Sequence, residues 1–182
     1  MGYMTPEFEQ KLFPLLAEHE GRVRWMYPDT KGNVTVGVGH LLASPVEATK
    51  LPFLVAGRRA TYQEILGGWL FVRRTHQAYT PLTLADASID LLLRKDVERF
   101  EPIVQQTFDI PLPETALLAI WDMVFNLGSF GKFPKFVAAV RAGDWETAAA
   151  ESKRRDIGVG RNKDTADALL ALVADRPPEI TA

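Results

Sequence analysis

The feature that most constrains the fold of this chain is a change of sequence period between residues 22 and 38. In that stretch apolar residues alternate with polar residues or glycine, as in a β-strand, and the sequence PDTKG divides it into two runs. The pattern predicts a β-hairpin. Three valines of the second strand are predicted to share one face and three small residues the other, namely Val34, Val36 and Val38 against Thr35, Gly37 and Gly39.

The first strand of the hairpin, with the sequence RVRWMY, also alternates. Val23, Trp25 and Tyr27 are predicted to share one face, with Met26 on the other. The helix that precedes this strand is predicted to end at Gly21, because glycine readily takes the left-handed conformation that terminates helices.

Most of the remaining chain carries helical patterns. A capping-box pattern at 61–64 begins one helix, the apolar sequence TALLAIWDMVFNL predicts a buried central helix that ends at Gly128, and a final helix is predicted over 163–175. Pro14 and Pro102 lie inside helical patterns, where proline removes a backbone hydrogen bond, so we expect a kink or a break at each.

These patterns together predict an α+β fold in one domain over residues 1–182. A small lobe built on the hairpin would cover about residues 20–60, and a larger helical lobe would cover about 80–176. A chain of this length is able to bury a core of ordinary size.

The composition excludes several classes of protein. A net charge of -2 argues against a nucleic-acid binder, which usually has a strong basic excess. The absence of cysteine excludes disulfides and thiolate metal sites, and His19, His40 and His76 lie too far apart in sequence to suggest a shared metal site, so no metal or other cofactor is expected. A basic cluster at 153–163 is either a patch for an anionic polymer or a solvated helix end.

The N-terminal sequence lacks the basic start and apolar run of a secretory signal. The longest apolar run, ILGGWLFV, has eight residues, whereas a membrane span needs roughly 18. We therefore expect a protein that is made in the cytoplasm and has no integral membrane segment. A substrate outside the membrane would require that other proteins release or export it.

Two carboxylates surround the predicted hairpin. Glu20 falls at a helix C-terminus, where the helix dipole disfavours a second negative charge, and this suits a proton donor. Asp29 lies in the turn, where hydration favours the ionised form. Such a pair fits glycosidic hydrolysis, in which one group protonates the leaving oxygen and the other activates water or stabilises the cationic sugar. The Thr35 hydroxyl would hold that water, and the bare face at Gly37 and Gly39 would leave room for a sugar ring.

Each of these features also has a purely structural explanation. Glutamate before a helix-terminating glycine, aspartate in a turn, and glycine at a strand bulge are all common in proteins that catalyse nothing. The residue types alone therefore leave the catalytic and the structural interpretation open.

The spacing of these residues resembles the catalytic signature of the phage lysozymes, glycoside hydrolase family 24, the T-even phage type of endolysin. Glu20 is followed after eight residues by Asp29, after five more by Thr35, and then by the sequence GVGH. The sequences DMVFNLG at 122–128 and RKDV at 94–97 are similar to two helix motifs of the family.

The resemblance covers most of the chain, with two departures. About one extra helix is expected between His40 and Asp96. The apolar sequence ILGGWLFVRR within it would cap the cleft, dock a partner such as an immunity protein, or enlarge the core, and we favour the last. After the sequence ESKRR, where family members often carry a tryptophan, this chain has charged residues.

The resemblance implies a lysozyme-like fold and a role for each matching residue. Glu20 would be the general acid, Asp29 the base or electrostatic partner, and Thr35 the residue that positions water. Three residues would contact the glycan, namely Leu41, Phe125 and Asn126. Two pairs would support the site, namely Arg161 with Glu20, and His40 with Asp96 as a structural ion pair between the lobes.

The implied activity is that of a muramidase, which cleaves the β-1,4 bond between N-acetylmuramic acid and N-acetylglucosamine in peptidoglycan during bacterial cell-wall lysis. We expect a monomer whose partner is the glycan strand and which reaches the wall by holin-type release or dedicated export. The alternatives are an antibacterial effector with the same activity and an immunity protein as partner, a non-catalytic glycan-binding relative, and a lytic transglycosylase, which needs no partner aspartate.

Overall fold

The computed structural model describes residues 3–155 and 157–174. The helices in these ranges are α1 (Pro6–Glu20), α2 (Pro45–Lys50), α3 (Tyr62–Thr75), α4 (Asp86–Thr107), α5 (Glu114–Leu127), α6 (Pro134–Ala142), α7 (Trp145–Glu151) and α8 (Val159–Ala174). The strands are β1 (Val23–Pro28), β2 (Val34–Gly37), β3 (His40–Leu41), β4 (Leu54–Val55) and β5 (Arg58–Arg59). β1, β2 and β3 form one antiparallel sheet in that order, and β4 pairs with β5. The predicted α+β class is confirmed.

The chain divides into two compact units, one formed by Phe13–Glu98 and the other by Met1–Leu12 with Arg99–Ala182. We name them the hairpin unit and the helical unit. The hairpin unit extends well past the boundary near residue 60 that the sequence predicted. It does so because α3 packs against β1 and β2, so that the inserted segment shares the core of the sheet.

The local signals for helix ends are confirmed. Thr61 and Glu64 form a reciprocal capping box at the start of α3. Gly128 ends α5 with a φ of 76°, and Gly21 follows α1 with a φ of 80°. The final helix begins at Val159, before the predicted start, and residue 175 of that prediction lies outside the described residues.

The expected breaks at proline are absent. α1 continues through Pro14, and α4 continues through Pro102. Both prolines are exposed, as are Gln10 and Glu98, whose carbonyl groups lose a helical partner. Because these carbonyl groups belong to exposed residues, water is able to replace the missing N–H donors, and the helix persists.

The hairpin forms as predicted, but its first strand is irregular. Between the residue pairs at its two ends, β1 holds extra residues relative to β2, which is a β-bulge. The bulge breaks the strict alternation expected of this strand. As a result the neighbouring residues Arg24 and Trp25 are both exposed, while Met26 is fully buried in the core.

The outer edge of β1 is covered by the segment that follows α3. The N–H of Tyr79 donates to the carbonyl of Met26 at 2.8 Å, and the N–H of Leu84 donates to the carbonyl of Arg24 at 2.7 Å. An unpaired strand edge invites pairing with other chains. The segment therefore protects the sheet, and it ties the insertion to the hairpin.

The core of the helical unit contains a cluster of charges beside the buried helix α5. Asp122 accepts from Arg154 Nη2 at 2.9 Å on Oδ2 and from Arg161 Nη2 at 2.7 Å on Oδ1. The hydroxyl of Thr165 accepts from Arg154 at 2.7 Å. Arg154 is 3% exposed, because it is buried in its ion pair with Asp122. The surface patch considered for 153–163 therefore lacks this cation.

We predict that Asp122→Ala lowers the free energy of unfolding by about 3–5 kcal/mol, because it leaves buried guanidinium groups without their carboxylate. Urea denaturation followed by circular dichroism measures this loss. The control is Asp167→Ala, which removes an exposed pair with Lys163 on α8 and should cost no more than about 1 kcal/mol. Equal losses in the two variants would contradict the assignment.

Candidate functional site

Glu20 is the last residue of α1, and its side chain lies against Gly39. A Cβ atom at position 39 would stand 3.4 Å from Glu20 Oε2 and 3.7 Å from Glu20 Cδ. Gly39 also has a φ of 68°, a backbone conformation that side chains rarely tolerate. Glycine at this position thus avoids backbone strain beside the Glu20 carboxylate. The role of Gly39 as part of a floor for a sugar remains a prediction.

Gly37, the other glycine of the predicted sugar floor, faces the first half of α4. A Cβ atom at position 37 would stand 3.5 Å from Ile89 Cγ2 and 3.7 Å from Leu92 Cδ2. The residue is buried. The missing side chain therefore permits close packing of a helix on β2, and this part of the strand is covered by protein.

Asp29 occupies the hairpin turn, and three N–H donors hold its carboxylate. Oδ1 accepts from the backbone N–H groups of Lys31 and Asn33, both at 2.8 Å, and Oδ2 accepts from Asn33 Nδ2 at 3.0 Å. Partial burial raises the pKa of Asp29, but the hydrogen bonds from Asn33 and Lys31 and the Lys31 charge outweigh it. The pKa of Asp29 therefore lies below its ordinary value, and the ionised form expected from the sequence is favoured.

Thr35 lies at the centre of a row of three residues across the sheet. The register pairs it with Tyr27 on β1 and with Leu41 on β3, and paired residues on antiparallel strands share a face. Thr35 is 4% exposed and Leu41 is 50% exposed. The Thr35 hydroxyl donates to the Asn33 carbonyl at 3.3 Å, which is long for a hydroxyl hydrogen bond.

Tyr27 is a residue of this site that the sequence reasoning missed. Burial raises the pKa of its phenol, and the negative charges of Glu20 and Asp29 raise it further. A phenol that responds to both charges lies within electrostatic reach of both carboxylates. Tyr27 is identified by its place opposite Thr35. That place depends on the register between β1 and β2, which the alternation of apolar and polar residues does not determine.

The insertion contacts the turn that carries Asp29. Arg73, near the end of α3, donates from Nη1 to the Gly32 carbonyl at 2.9 Å. His76 follows α3 in the left-handed conformation and places its ring over Gly32, where a Cβ atom would stand 2.8 Å from the ring. The buried face of α3 does enlarge the core, as expected, and the end of the helix also fixes the turn.

His40 and Asp96 are in contact, with His40 Nδ1 at 2.7 Å from Asp96 Oδ2. Both residues belong to the hairpin unit. The expectation that this pair joins two lobes is therefore wrong, because the first half of α4, which carries Asp96, belongs to the same unit as the sheet.

The other predicted residues lie in the helical unit. Phe125 and Asn126 stand at the end of α5, where the Phe125 ring packs edge-on against Phe100 at 5.9 Å and Asn126 is exposed. Arg161 donates to Asp122, and its pairing with Glu20 remains a prediction. A groove of about 460 Å³ in this unit has neither Phe125 nor Asn126 in its lining.

Among residues 3–155 and 157–174, no group of three or more histidine, cysteine, aspartate or glutamate side chains is arranged to hold a metal ion. None of the helices formed by these residues is both long enough and apolar enough to cross a bilayer.

A glutamate that ends a helix, followed by an aspartate and a threonine in the next hairpin, is the order of elements that the sequence resemblance led us to expect. The family model described as phage lysozyme matches residues 17–165, a range that contains all of them. The chain therefore belongs to the phage lysozyme family, which supports a lysozyme-type glycosidase that acts on peptidoglycan. No curated protein sequence matches the chain.

A crystal structure of a P22 lysozyme mutant is similar in fold. It shares 17% sequence identity with this chain, and the alignment covers 93% of this chain and 99% of that chain with a TM-score of 0.57. At that identity the likeness concerns the fold, and the predicted lysozyme-like architecture is confirmed.

We predict that Gly32→Ala lowers the free energy of unfolding by about 1–3 kcal/mol, because it adds backbone strain at a φ of 77° and a clash with His76. In a His76→Ala background the strain remains but the clash is gone, so the same substitution should cost less. Urea unfolding of the four proteins measures the difference. An equal cost in both backgrounds would show that the ring does not press on the turn.

We predict that Asp96→Asn lowers the melting temperature while the specific activity on peptidoglycan changes less than about threefold, because the His40 contact is structural. The control Asp90→Asn removes an exposed partner of Arg22 and should change the melting temperature less. A melting temperature equal to that of the wild type, or an activity loss without destabilisation, would refute the structural role.

Proposed function

We propose that this chain is a muramidase that hydrolyses the β-1,4 bond between N-acetylmuramic acid and N-acetylglucosamine in peptidoglycan. The observation that carries the proposal is a pair of carboxylates in different environments within one unit. Glu20 lies at the end of α1 against Gly39, and Asp29 is held by three N–H donors in the turn. Burial raises the pKa of the Tyr27 phenol, and the negative charges of Glu20 and Asp29 raise it further.

In this proposal Glu20 is the general acid. As the glycosidic bond breaks, Glu20 gives its proton to the leaving oxygen, and the sugar ring that remains develops positive charge.

Asp29 and Thr35 act on the opposite side of the bond. The ionised Asp29 either accepts the proton of the attacking water or stabilises the cationic ring. The Thr35 hydroxyl positions that water. Its present hydrogen bond to the Asn33 carbonyl is long and therefore weak, so exchange for a water costs little. The expected course is a single displacement with inversion, in which water supplies the new hydroxyl.

The remaining predicted residues complete the proposal. Leu41, exposed beside Thr35, supplies an apolar contact to the sugar. Phe125 and Asn126 are proposed as further glycan contacts, and Arg161 as the cation that pairs with Glu20. The protein would act as a monomer on the cell wall after release or export by other proteins.

We predict that Glu20→Gln reduces the rate at which purified peptidoglycan is solubilised by at least about 100-fold, because an amide cannot protonate the leaving oxygen. The fall in turbidity of a peptidoglycan suspension gives the rate. The matched control is Glu18→Gln, an exposed position on the same helix, which should retain the wild-type rate. A folded Glu20→Gln protein with wild-type activity would exclude Glu20 as the acid, and inactivity of all three proteins would favour a glycan-binding function.

A further inference from the structure

We propose that Asn33 is a positioning residue for Asp29, and that Oδ2 is the oxygen of Asp29 which faces the water or the sugar. The catalytic part of this inference rests on the proposed hydrolytic function. The structural part concerns only the turn, and it is testable without activity.

The Asp29 carboxylate has two oxygens with about two lone-pair sites each. Oδ1 accepts two backbone N–H groups, those of Lys31 and Asn33, so both of its sites are used. Oδ2 accepts one N–H, from Asn33 Nδ2. Oδ2 is therefore the oxygen with a site left for the proton of a water molecule or for contact with a charged ring.

Asn33 contacts both residues that would hold the water. Its side-chain amide donates to Asp29 Oδ2 at 3.0 Å, and its backbone carbonyl accepts from the Thr35 hydroxyl at 3.3 Å. Its backbone also exchanges two hydrogen bonds with Asp29, each 2.8 Å long. Since those two belong to the turn itself, a side-chain substitution removes the bond to Oδ2 selectively.

Several charged or titratable groups face the turn and must be followed in any titration. Lys31 lies in the turn itself, and its charge acts on Asp29. Tyr27 on β1 responds to Asp29 and to Glu20. From α3 and its end, Arg73 and His76 contact Gly32. None of these groups is altered by a substitution at Asn33, so a shift in the Asp29 titration reports the lost amide.

The test compares the wild type with Asn33→Leu, which keeps the size of the side chain but has no N–H donor. Carboxyl-carbon NMR measures the Asp29 titration in each. Loss of a hydrogen bond to the charged form raises a carboxyl pKa, and we expect a rise of about one pH unit. The acidic limb of the kcat/KM profile should move to higher pH by the same amount. Asn33→Asp, which places a like charge beside Asp29, should move both further.

The control is Ser44→Ala, which removes the side-chain cap of α2 and leaves the turn intact. It should lower stability but move neither the Asp29 titration nor the pH profile. An Asp29 titration that is unchanged in a folded Asn33→Leu protein would overturn the proposal, even if the wild type is active. A shifted titration in a protein that hydrolyses no peptidoglycan would instead reject the proposed function and support the positioning role.

If Asn33→Leu does not fold, NMR of the wild-type protein alone tests the proposal. The Nδ2 protons of Asn33 donate to Oδ2, so their chemical shift should follow the Asp29 titration with the same midpoint. Side-chain amide signals of Asn33 that show no inflection at that midpoint would overturn the proposal.

Discussion

The hydrogen bonds that close the turn from Asp29 to Asn33 are the constraint on which the candidate site depends. They join the two backbone strands of the hairpin, and they also fix the carboxylate whose charge the proposed chemistry needs. A turn residue is ordinarily mobile on the surface. Here Arg73 and His76 hold Gly32 from outside, and a buried β2 holds the strand that follows. The same turn is thus both a fold element and a support for the carboxylate of the proposed chemistry.

The insertion has two roles: it packs against the sheet, and its end contacts the hairpin turn. α3 buries one face against the sheet, and the segment after it pairs with the edge of β1. With α3 in that position, Arg73 and His76 at its end contact Gly32 of the turn. In the helical unit Arg154, which belongs to the sequence ESKRR that precedes the expected tryptophan, is buried against Asp122.

Much of the fold could be predicted because its signals are local. The capping box at Thr61, the end of α1 before Gly21, and the hairpin turn each depend on a few neighbouring residues. The spacing from Glu20 to Thr35 indicated the family for the same reason.

What could not be predicted depends on contacts between residues far apart in sequence. The roles of Gly37 and Gly39 follow from the helices that approach them, and the bulge in β1 follows from its pairing. The contact of Arg73 with Gly32 spans 41 residues, and no sequence periodicity encodes it. The sequence does not single out Asn33, because its significance depends on where the Asp29 carboxylate points.

The most direct test of the central claim is to identify the sugar ends that the wild-type protein creates. Peptidoglycan is digested, the products are reduced with borohydride, and mass spectrometry identifies the reduced sugars. Hydrolysis at the proposed bond yields new N-acetylmuramitol ends. Ends of N-acetylglucosaminitol would show that the other glycosidic bond is cut, and anhydro-muramic ends, which borohydride does not reduce, would show that water is not the nucleophile.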